Sequence, residues 1–448
     1  MAPLRASSFC GNIAYMKARW LTDKYISLML LVFPLWTGPE GYADITRSKF
    51  LFFAVLSGLY LAGTAVCMAL DKTAPKRPNA LQCFALAFMA AACLSAALSP
   101  YGSAVIIGAS RYDGLVTLLL YGGIFLAVSA FGEWKKYYVY LLAASASVCS
   151  LIALIQFTGA NPLGLYPAGL NYYDAGVRYT GEFLGTIGNT NLLAAFYCLC
   201  IPLFTGHALT NRKMADRLML LPAALCAGVL IGSRVASGLV ALAAAAVTLI
   251  PYYVNYIHRN KRLTLAVSAS MAALCVLALA AVYFYGGGSG TLHELSEVLH
   301  GHVEDSYGSS RVGIWRECLR LFGESPVTGG GPDTLVLRTD MTFSRYVEET
   351  GSTLSTHVDN AHCEILGYLV NLGLLGALPY VALCAGSLRR FFRGCAPAAG
   401  GALCCYYVQS LFGLGLCIVV PLVWIYMGLV CSGKELDKCK SARSPRTS

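Results

Sequence analysis

The sequence predicts an all-α polytopic membrane protein, and two observations carry this prediction. Hydrophobic residues make up 57% of the 448 residues and charged residues only 12%, and the mean hydropathy is +0.60. Soluble globular domains of this size do not have such a composition. Apolar stretches of the roughly 17 to 25 residues that span a bilayer also recur along the whole chain.

These apolar stretches predict about twelve transmembrane helices within one integral membrane domain over residues 1–448. They cover 25–38, 50–70, 80–98, 115–131, 137–157, 192–209, 218–233, 236–254, 264–285, 363–387, 396–413 and 415–431. Residues 1–24 are polar and basic, without the apolar core of a secretory signal peptide, so we expect no cleaved leader. A polar tail over 432–448 follows the last stretch.

Basic residues predict the orientation of the helices. Lys and Arg in short connecting segments are retained on the cytoplasmic side of a membrane. Here they recur in alternate segments, so we expect a multi-pass plasma (inner) membrane protein with both termini in the cytoplasm. The net charge of +10 then reflects topology, with anionic lipid headgroups as counter-charge and no nucleic-acid partner. The residues are Arg5, Lys17, Arg19, Lys24, Lys72, Lys76, Arg77, Lys135, Lys136, Arg212, Lys213, Arg217, Arg259, Lys261, Arg262, Arg389, Arg390 and Arg393.

The opposite, extracytoplasmic face is expected to carry the function. Its longest segment is 286–362, between the ninth and tenth predicted helices, and this is too long for a simple connector. We expect short helices in it. The stretch "SSRVGIWRECLRLFGESP" predicts an amphipathic surface helix that begins after an N-cap at Ser309 or Ser310 and stops at Pro326.

Cysteines and metal-ligand patterns indicate no cofactor. Nearly all of the 18 cysteines lie in predicted helices or cytoplasmic segments, where they behave as small apolar residues. Cys318 and Cys363 lie in or beside the large outer segment, and the sequence leaves open whether they pair. No Cys/His or Asp/Glu spacing indicates a metal site.

Polar and charged residues concentrate at the predicted outer ends of the helices, and the central turns contain almost none. A transporter would require polar or broken helices at mid-membrane, so this distribution favours chemistry at the outer interface instead. The candidate residues for binding an anionic or glycan substrate are Arg111, Arg178, Asn189, Arg234, Arg311 and Trp315.

Several of these candidates also have a purely structural interpretation. Arg234, in a tight turn between two predicted helices, could extend to lipid headgroups, and Arg111 could pair with nearby Asp113. Asn189 is a good helix N-cap. Tyr172 and Tyr173, upstream of Arg178, could form an aromatic belt or a stacking surface for a sugar ring.

The stretch "HVDNAHCEILGYLVNLGLLG" has the most specific pattern. His362 is expected at the N-terminal end of a helix, where the helix dipole disfavours imidazolium and leaves a neutral base. Asp359, three residues earlier, could accept a hydrogen bond from the ring. Gly373 and Gly376 share a helical face with the histidine and would let another helix pack beneath it. His357 is less constrained and is a weaker binding candidate.

Five stretches in this order resemble the bacterial O-antigen ligase and polymerase family: "SRYDGLVTLLLY", "GTIGNTNLLAAFYCLCIPL", "GSRVASGLVAL", "SSRVGIWRECLRLFGESPVTGGGPDTL" and "VDNAHCEILGYLVNLGLLG". The resemblance implies a GT-C-like membrane glycosyltransferase whose donor is a glycan on undecaprenyl diphosphate. It also implies that His362 is essential and that Arg234 and Arg311 bind the diphosphate. Family members usually have Asn, Ser or Gln where this chain has Cys363.

The residues and the resemblance together predict one mechanism. His362, oriented by Asp359, acts as general base on an acceptor hydroxyl, while the arginines hold the leaving diphosphate without a metal ion. Direct displacement inverts the anomeric configuration. The acceptor, which is a glycan, a lipid or a protein, is left open, and so is the choice between ligase and polymerase. A lipid or polysaccharide transporter remains the alternative from another class, and a peptidoglycan polymerase would lack the His362 element.

Overall fold

A computed structural model describes residues 4–70, 77–178, 182–347 and 351–432, and it confirms an all-α polytopic membrane protein. The predicted tail lies outside the described residues except for Ser432. The helices are α1 (Leu4–Leu31), α2 (Ile45–Leu70), α3 (Ala80–Leu98), α4 (Ala104–Ile107), α5 (Leu115–Phe131), α6 (Tyr137–Gln156), α7 (Tyr172–Arg178), α8 (Thr190–Thr210), α9 (Met214–Arg217), α10 (Leu220–Gly232), α11 (Ala236–His258), α12 (Lys261–Tyr283), α13 (Thr291–Leu299), α14 (Tyr307–Glu324), α15 (Glu364–Phe392), α16 (Pro397–Gln409) and α17 (Val420–Val430).

Eight helical segments in the described part of the chain are long and apolar enough to cross a membrane. They contain α2, α3, α6, α8, α10 with the preceding α9, α11, α12 and α15. The apolar helices α5 and α17 are shorter. The two remaining predicted stretches, 25–38 and 396–413, coincide with the end of α1 and with α16.

Helix α17 explains how a short apolar helix fits among the long ones. All eleven of its residues are buried, so it lies in the interior of the bundle and has no need to match the bilayer thickness. Its indole side chain, Trp424, stacks on the ring of Tyr121 at a centroid distance of 5.8 Å and also contacts Phe88 and Tyr380. Helices α3, α5 and α15 therefore pack around α17.

Basic segments that were predicted to share one side meet at one end of the bundle. The Lys135 ammonium, before α6, binds the Asp23 carboxylate of α1 at 2.6 Å. The neighbouring Lys136 binds Asp216 of α9 at 3.1 Å. These ion pairs join three segments from distant parts of the chain at the N-terminal end of α6.

The predicted outer segments meet at the other end of the same helices. At the end of α6, the Gln156 amide donates to the Tyr42 hydroxyl at 2.8 Å, and that hydroxyl donates to the Gly185 carbonyl at 2.6 Å. In a second contact of this kind, the Ser99 hydroxyl donates to the Gly330 carbonyl at 2.7 Å. The two sets of connecting segments are thus separated by the length of the helices.

The large outer segment contains the short helices that were expected, α13 and α14, and two strands that were not. Strands β3 (Thr342–Val347) and β4 (Ser352–His357) form an antiparallel hairpin in which Thr342 pairs with His357. A smaller pair, β1 (Phe183–Leu184) and β2 (Gly188–Asn189), precedes α8. Both hairpins lie in predicted outer segments, beside the candidate site residues.

Candidate active site

His362 lies just before the helix mouth rather than within the helix. Its φ is +48°, in the left-handed region, and its backbone N–H donates to the Asn360 side-chain oxygen at 2.9 Å. Helix α15 starts two residues later at Glu364, after Cys363 in an extended conformation. The Nδ1 atom of the ring is buried and has no hydrogen-bond partner among the described residues. The local turn, not the helix, sets the direction of the imidazole.

The predicted hydrogen bond, in which the His362 ring would donate to the Asp359 carboxylate, is absent among the described residues. The Asp359 carboxylate instead accepts a hydrogen bond from Nε of Arg111 at 2.6 Å. The same contact shows that Arg111 is paired with Asp359 and not with Asp113, the partner considered from the sequence. Asp359 therefore anchors a guanidinium beside the histidine and influences the ring only through its charge.

Burial keeps His362 neutral. Loss of water around the ring lowers the pKa of His362 to about 4, and the positive charges of Arg311 and Arg111 lower it further, against the opposing effect of Asp359. The lowered pKa leaves the ring neutral at neutral pH, as the sequence predicts. Its main cause is burial, however, and not the helix dipole that the sequence suggested.

Arg311 reaches this region through a strained turn. Gly308, Ser309 and Ser310 all have positive φ values of 57–64°, so the expected N-cap at Ser309 or Ser310 is replaced by a left-handed turn. Nη1 of Arg311 donates to the Gly308 carbonyl at 2.9 Å, while its Nε is buried without a hydrogen-bond partner among the described residues. Burial lowers the pKa of Arg311.

Trp315 connects the Arg311 helix to the backbone beside His362. Its indole N–H donates to the Ala361 carbonyl at 3.0 Å. The apolar face of α14, including Ile314 and Leu321, packs in one hydrophobic cluster with Ala361 and Val370. Trp315, predicted as a substrate-binding residue, thus fixes the segment that carries His362.

The glycines after His362 have a different role from the predicted one. Helix α15 breaks at Gly373, where φ is +62° and ψ is −165°. A β-carbon at this position would lie 2.3 Å from the Val327 carbonyl oxygen. The glycine-rich turn 326–331, and not a neighbouring helix, enters the break. The predicted shared face of His362, Gly373 and Gly376 is wrong because the helix is neither regular at Gly373 nor begun at His362.

Asp333 is a site residue that the sequence analysis missed. Its carboxylate accepts hydrogen bonds from the backbone N–H of Arg111 at 2.9 Å and from the N–H and hydroxyl of Ser110 at 3.2 Å each. These bonds hold the turn that presents Arg111 to Asp359. Asp333 has a φ of +53°, and its place after Pro332 in "GGGPDTL" was the available signal, because Asp commonly completes such turns.

A cavity of about 50 Å³ lies beside the histidine and is lined by several carboxylates. Among its lining residues are Asp113, Asp333, Asp359 and Glu364. Burial, and then the charges of Asp333 and Glu364, raise the pKa of Asp113 well above its usual value. Within the described ranges, no group of three or more His, Cys, Asp or Glu residues could hold a metal ion.

Arg234 and Arg178 lie in predicted outer segments, Arg178 before α8 and Arg234 before α11. Arg234 is exposed in the turn between α10 and α11, with a φ of +54°. Burial and the nearby Glu182 raise the pKa of Tyr172. The positive charge of Arg234 acts in the opposite direction on the same pKa, because its guanidinium lies near the Tyr172 ring. Arg178 is exposed at the end of α7. No hydrogen bond or ion pair joins either side chain to the described residues.

Asn189 caps a helix and His357 ends a strand. The Asn189 side-chain oxygen accepts the N–H groups of Asn191 and Leu192 at 2.9 and 3.3 Å, so it caps α8. His357 is exposed at the end of β4. Cys318 and Cys363 are both free thiols in the structure.

Comparison with known families matches part of this site to a recognised domain. Residues 221–381 match the family model described as O-Antigen ligase. The match confirms the resemblance found in the sequence, and together with the membrane helices it supports a role in cell-envelope polysaccharide biosynthesis. It contains Arg234, Arg311 and His362, whereas Arg111 lies outside it. No curated protein matches the chain significantly.

Proposed function

We propose that this chain, which its residues 221–381 assign to the O-antigen ligase family, transfers a glycan from undecaprenyl diphosphate to an acceptor. The observation that carries the proposal is the half-buried His362, whose Nδ1 is enclosed without a hydrogen-bond partner among the described residues and whose charged neighbours are the guanidinium groups of Arg311 and Arg111. A base beside cations is the arrangement that glycosyl transfer from a diphosphate requires, because one group must accept a proton while others stabilise departing negative charge.

In the proposed reaction the His362 ring accepts the proton of an acceptor hydroxyl. The hydroxyl oxygen forms a bond to the anomeric carbon as the bond from that carbon to the diphosphate oxygen breaks. The electron pair of the broken bond leaves with undecaprenyl diphosphate, and direct displacement inverts the anomeric configuration. Planar guanidinium groups suit phosphate oxygens better than ammonium groups, and Arg311 has an unpartnered buried Nε for this purpose.

Arg234 and Arg178 are proposed to attract the donor through its diphosphate. Arg234 and Arg178 are exposed cations without partners among the described residues, and Tyr173 beside them is an exposed ring. Cations of this kind attract a diphosphate, and aromatic faces stack on sugar rings. Asn189 and His357 are left out of the proposed site, because the Asn189 side-chain oxygen caps α8 and the His357 side chain is exposed at the end of β4.

Reconstituted protein supplied with a labelled glycan on undecaprenyl diphosphate tests this function. We expect label to move to acceptor, with release of unlabelled undecaprenyl diphosphate, and we expect transfer to persist in EDTA. Addition of repeat units to a growing glycan would identify the acceptor as glycan. Label that crosses the vesicle membrane while still attached to its lipid would instead identify a transporter. Loss of transfer in EDTA that is restored by a divalent ion would contradict the metal-independent mechanism.

The proposed site is on the extracytoplasmic side of the plasma membrane, with both termini in the cytoplasm, as the basic residues predict. In a variant without reactive native cysteines, Thr353→Cys on β4 should react with an impermeant thiol reagent in intact cells. Lys213→Cys, at the opposite end, should react only after permeabilisation. Both positions are exposed. The reverse labelling pattern would invert the proposed orientation.

A further inference from the structure

Two helices that carry the proposed machinery end close together. Helix α14, which bears Arg311, ends at Glu324, and the Ser325 N–H turns back to the Phe322 carbonyl at 3.1 Å. This leaves the carbonyl of Leu321 without the N–H four residues later that a continuing helix would supply. The C-terminal end of a helix also carries partial negative charge.

The first half of α15 ends in the same way at the break. The Leu374 N–H donates to the Pro326 carbonyl at 2.9 Å, not to the Val370 carbonyl that it would meet in a regular helix. The Val370 carbonyl accepts the Gly330 N–H at 3.1 Å and retains a second lone pair. The half-helix that follows His362 therefore also presents a negative end.

The guanidinium of Arg338 donates hydrogen bonds to both of these helix ends. Nη1 of Arg338 donates to the Val370 carbonyl at 2.9 Å, and its Nη2 donates to the Leu321 carbonyl at 3.2 Å. A β-carbon built on Gly330 would lie 2.2 Å from Nη1 of this arginine, so the glycine leaves the room that the side chain needs. The rigid fork of the guanidinium sets the separation of the two carbonyls, which a flexible ammonium could not do.

We propose that Arg338 is a positioning residue that fixes the Arg311 helix relative to the His362 segment. The Trp315 indole N–H already joins α14 to the Ala361 carbonyl at its other end. With Arg338 as the second point of attachment, α14 cannot rotate away from the base. This inference rests on the proposed function, because the geometry that Arg338 holds is useful only if Arg311 and His362 act on one substrate.

Kinetics of Arg338→Gln in reconstituted protein test the inference. We expect kcat to fall roughly 10- to 100-fold, the usual result of displacing catalytic groups by about 1 Å, with the donor KM changed less than about threefold. Arg338→Lys should recover part of the loss, because its ammonium can still donate to one carbonyl. Arg320→Gln is the matched control. Arg320 is on α14, which Arg338 contacts, but among the described residues it bonds only to Glu317 and Glu324 on the exposed face. The activity of this variant should stay within about twofold of wild type.

Hydrogen exchange gives a readout that needs no activity. The Gly330 and Gly331 amides bond to the Val370 and Asn371 carbonyls, and their exchange should accelerate at least about tenfold in Arg338→Gln but not in Arg320→Gln. Unchanged exchange, or a raised KM with unchanged kcat, would overturn the positioning role. Accelerated exchange in a protein whose wild type transfers no glycan would retain the link between the helices and reject the proposed function.

Discussion

His362→Ala lowers glycan transfer by roughly 10²- to 10⁴-fold, the usual contribution of a positioned general base. The loss should appear in kcat, because the imidazole acts on the acceptor proton and the arginines continue to hold the donor. Folding and membrane insertion should hardly change. The ring has a buried Nδ1 without a hydrogen-bond partner among the described residues, so its removal breaks no hydrogen bond of that atom. The measurement is the initial transfer rate of purified, reconstituted protein at equal amounts.

His357→Ala is the matched control for this substitution. His357 is an exposed histidine five positions earlier, and its loss should leave the rate within about twofold of wild type. Asp359→Asn should give an intermediate loss, because it removes the carboxylate that anchors Arg111 without removing the base. Near-normal transfer by His362→Ala would reject the assignment of the base.

The acid limb of the pH profile tests the environment of the same ring. A general base must be unprotonated, and kcat/KM reports the pKa of the free enzyme. Because the pKa of His362 is lowered to about 4, kcat/KM should stay level as the pH falls from 8 to 5. An exposed histidine would lose activity below pH about 6.5. An inflection near that value would show that the ring is hydrated and is not protected by burial and the two guanidinium groups.

The sequence predicted the helical membrane architecture well because that signal is local. Runs of apolar residues indicate spanning helices wherever they occur, and the short α13 and α14 were expected in the outer segment. The same local logic predicted that His362 is neutral. It could not identify the cause, since burial depends on α14, which lies about fifty residues earlier in the chain and packs over the segment before α15.

The contacts that shape the site are between residues far apart in the chain, and here the sequence was a poor guide. Asp359 is three residues from His362, and this short separation suggests that the carboxylate accepts a hydrogen bond from the ring. Its actual partner, Arg111, is 248 residues away. The glycine at 373 was interpreted as a packing surface because a helix was assumed to be continuous there, and only the turn at 326–331 shows why the chain breaks. Arg338 escapes the sequence analysis because it acts on backbone carbonyls that no side-chain motif reveals. The turn signal at Asp333 does not indicate its partners Ser110 and Arg111, which are more than 200 residues away.

Arg311→Met strongly lowers transfer and raises the temperature of unfolding of the protein without donor. Arg311 is half-buried with its Nε enclosed, and no carboxylate pairs with it within the described ranges. A buried cation without a counter-charge destabilises a fold, and an apolar side chain of similar length should pack there at lower cost. The natural counter-charge is proposed to be the donor diphosphate, so kcat/KM should fall at least roughly 10²-fold, as after loss of a key electrostatic contact in an active site.

Thermal unfolding with and without undecaprenyl-diphosphate-linked glycan separates this explanation from a structural role for Arg311. Saturating donor should raise the unfolding temperature of the wild type, because a ligand that binds only the folded state stabilises it. The same donor should have little effect on Arg311→Met, while Arg320→Met, on the exposed face of the same helix, should retain the full donor effect. A variant at position 311 that unfolds earlier than the wild type and still responds to donor would show that Arg311 supports the strained turn at Gly308 and does not bind the diphosphate.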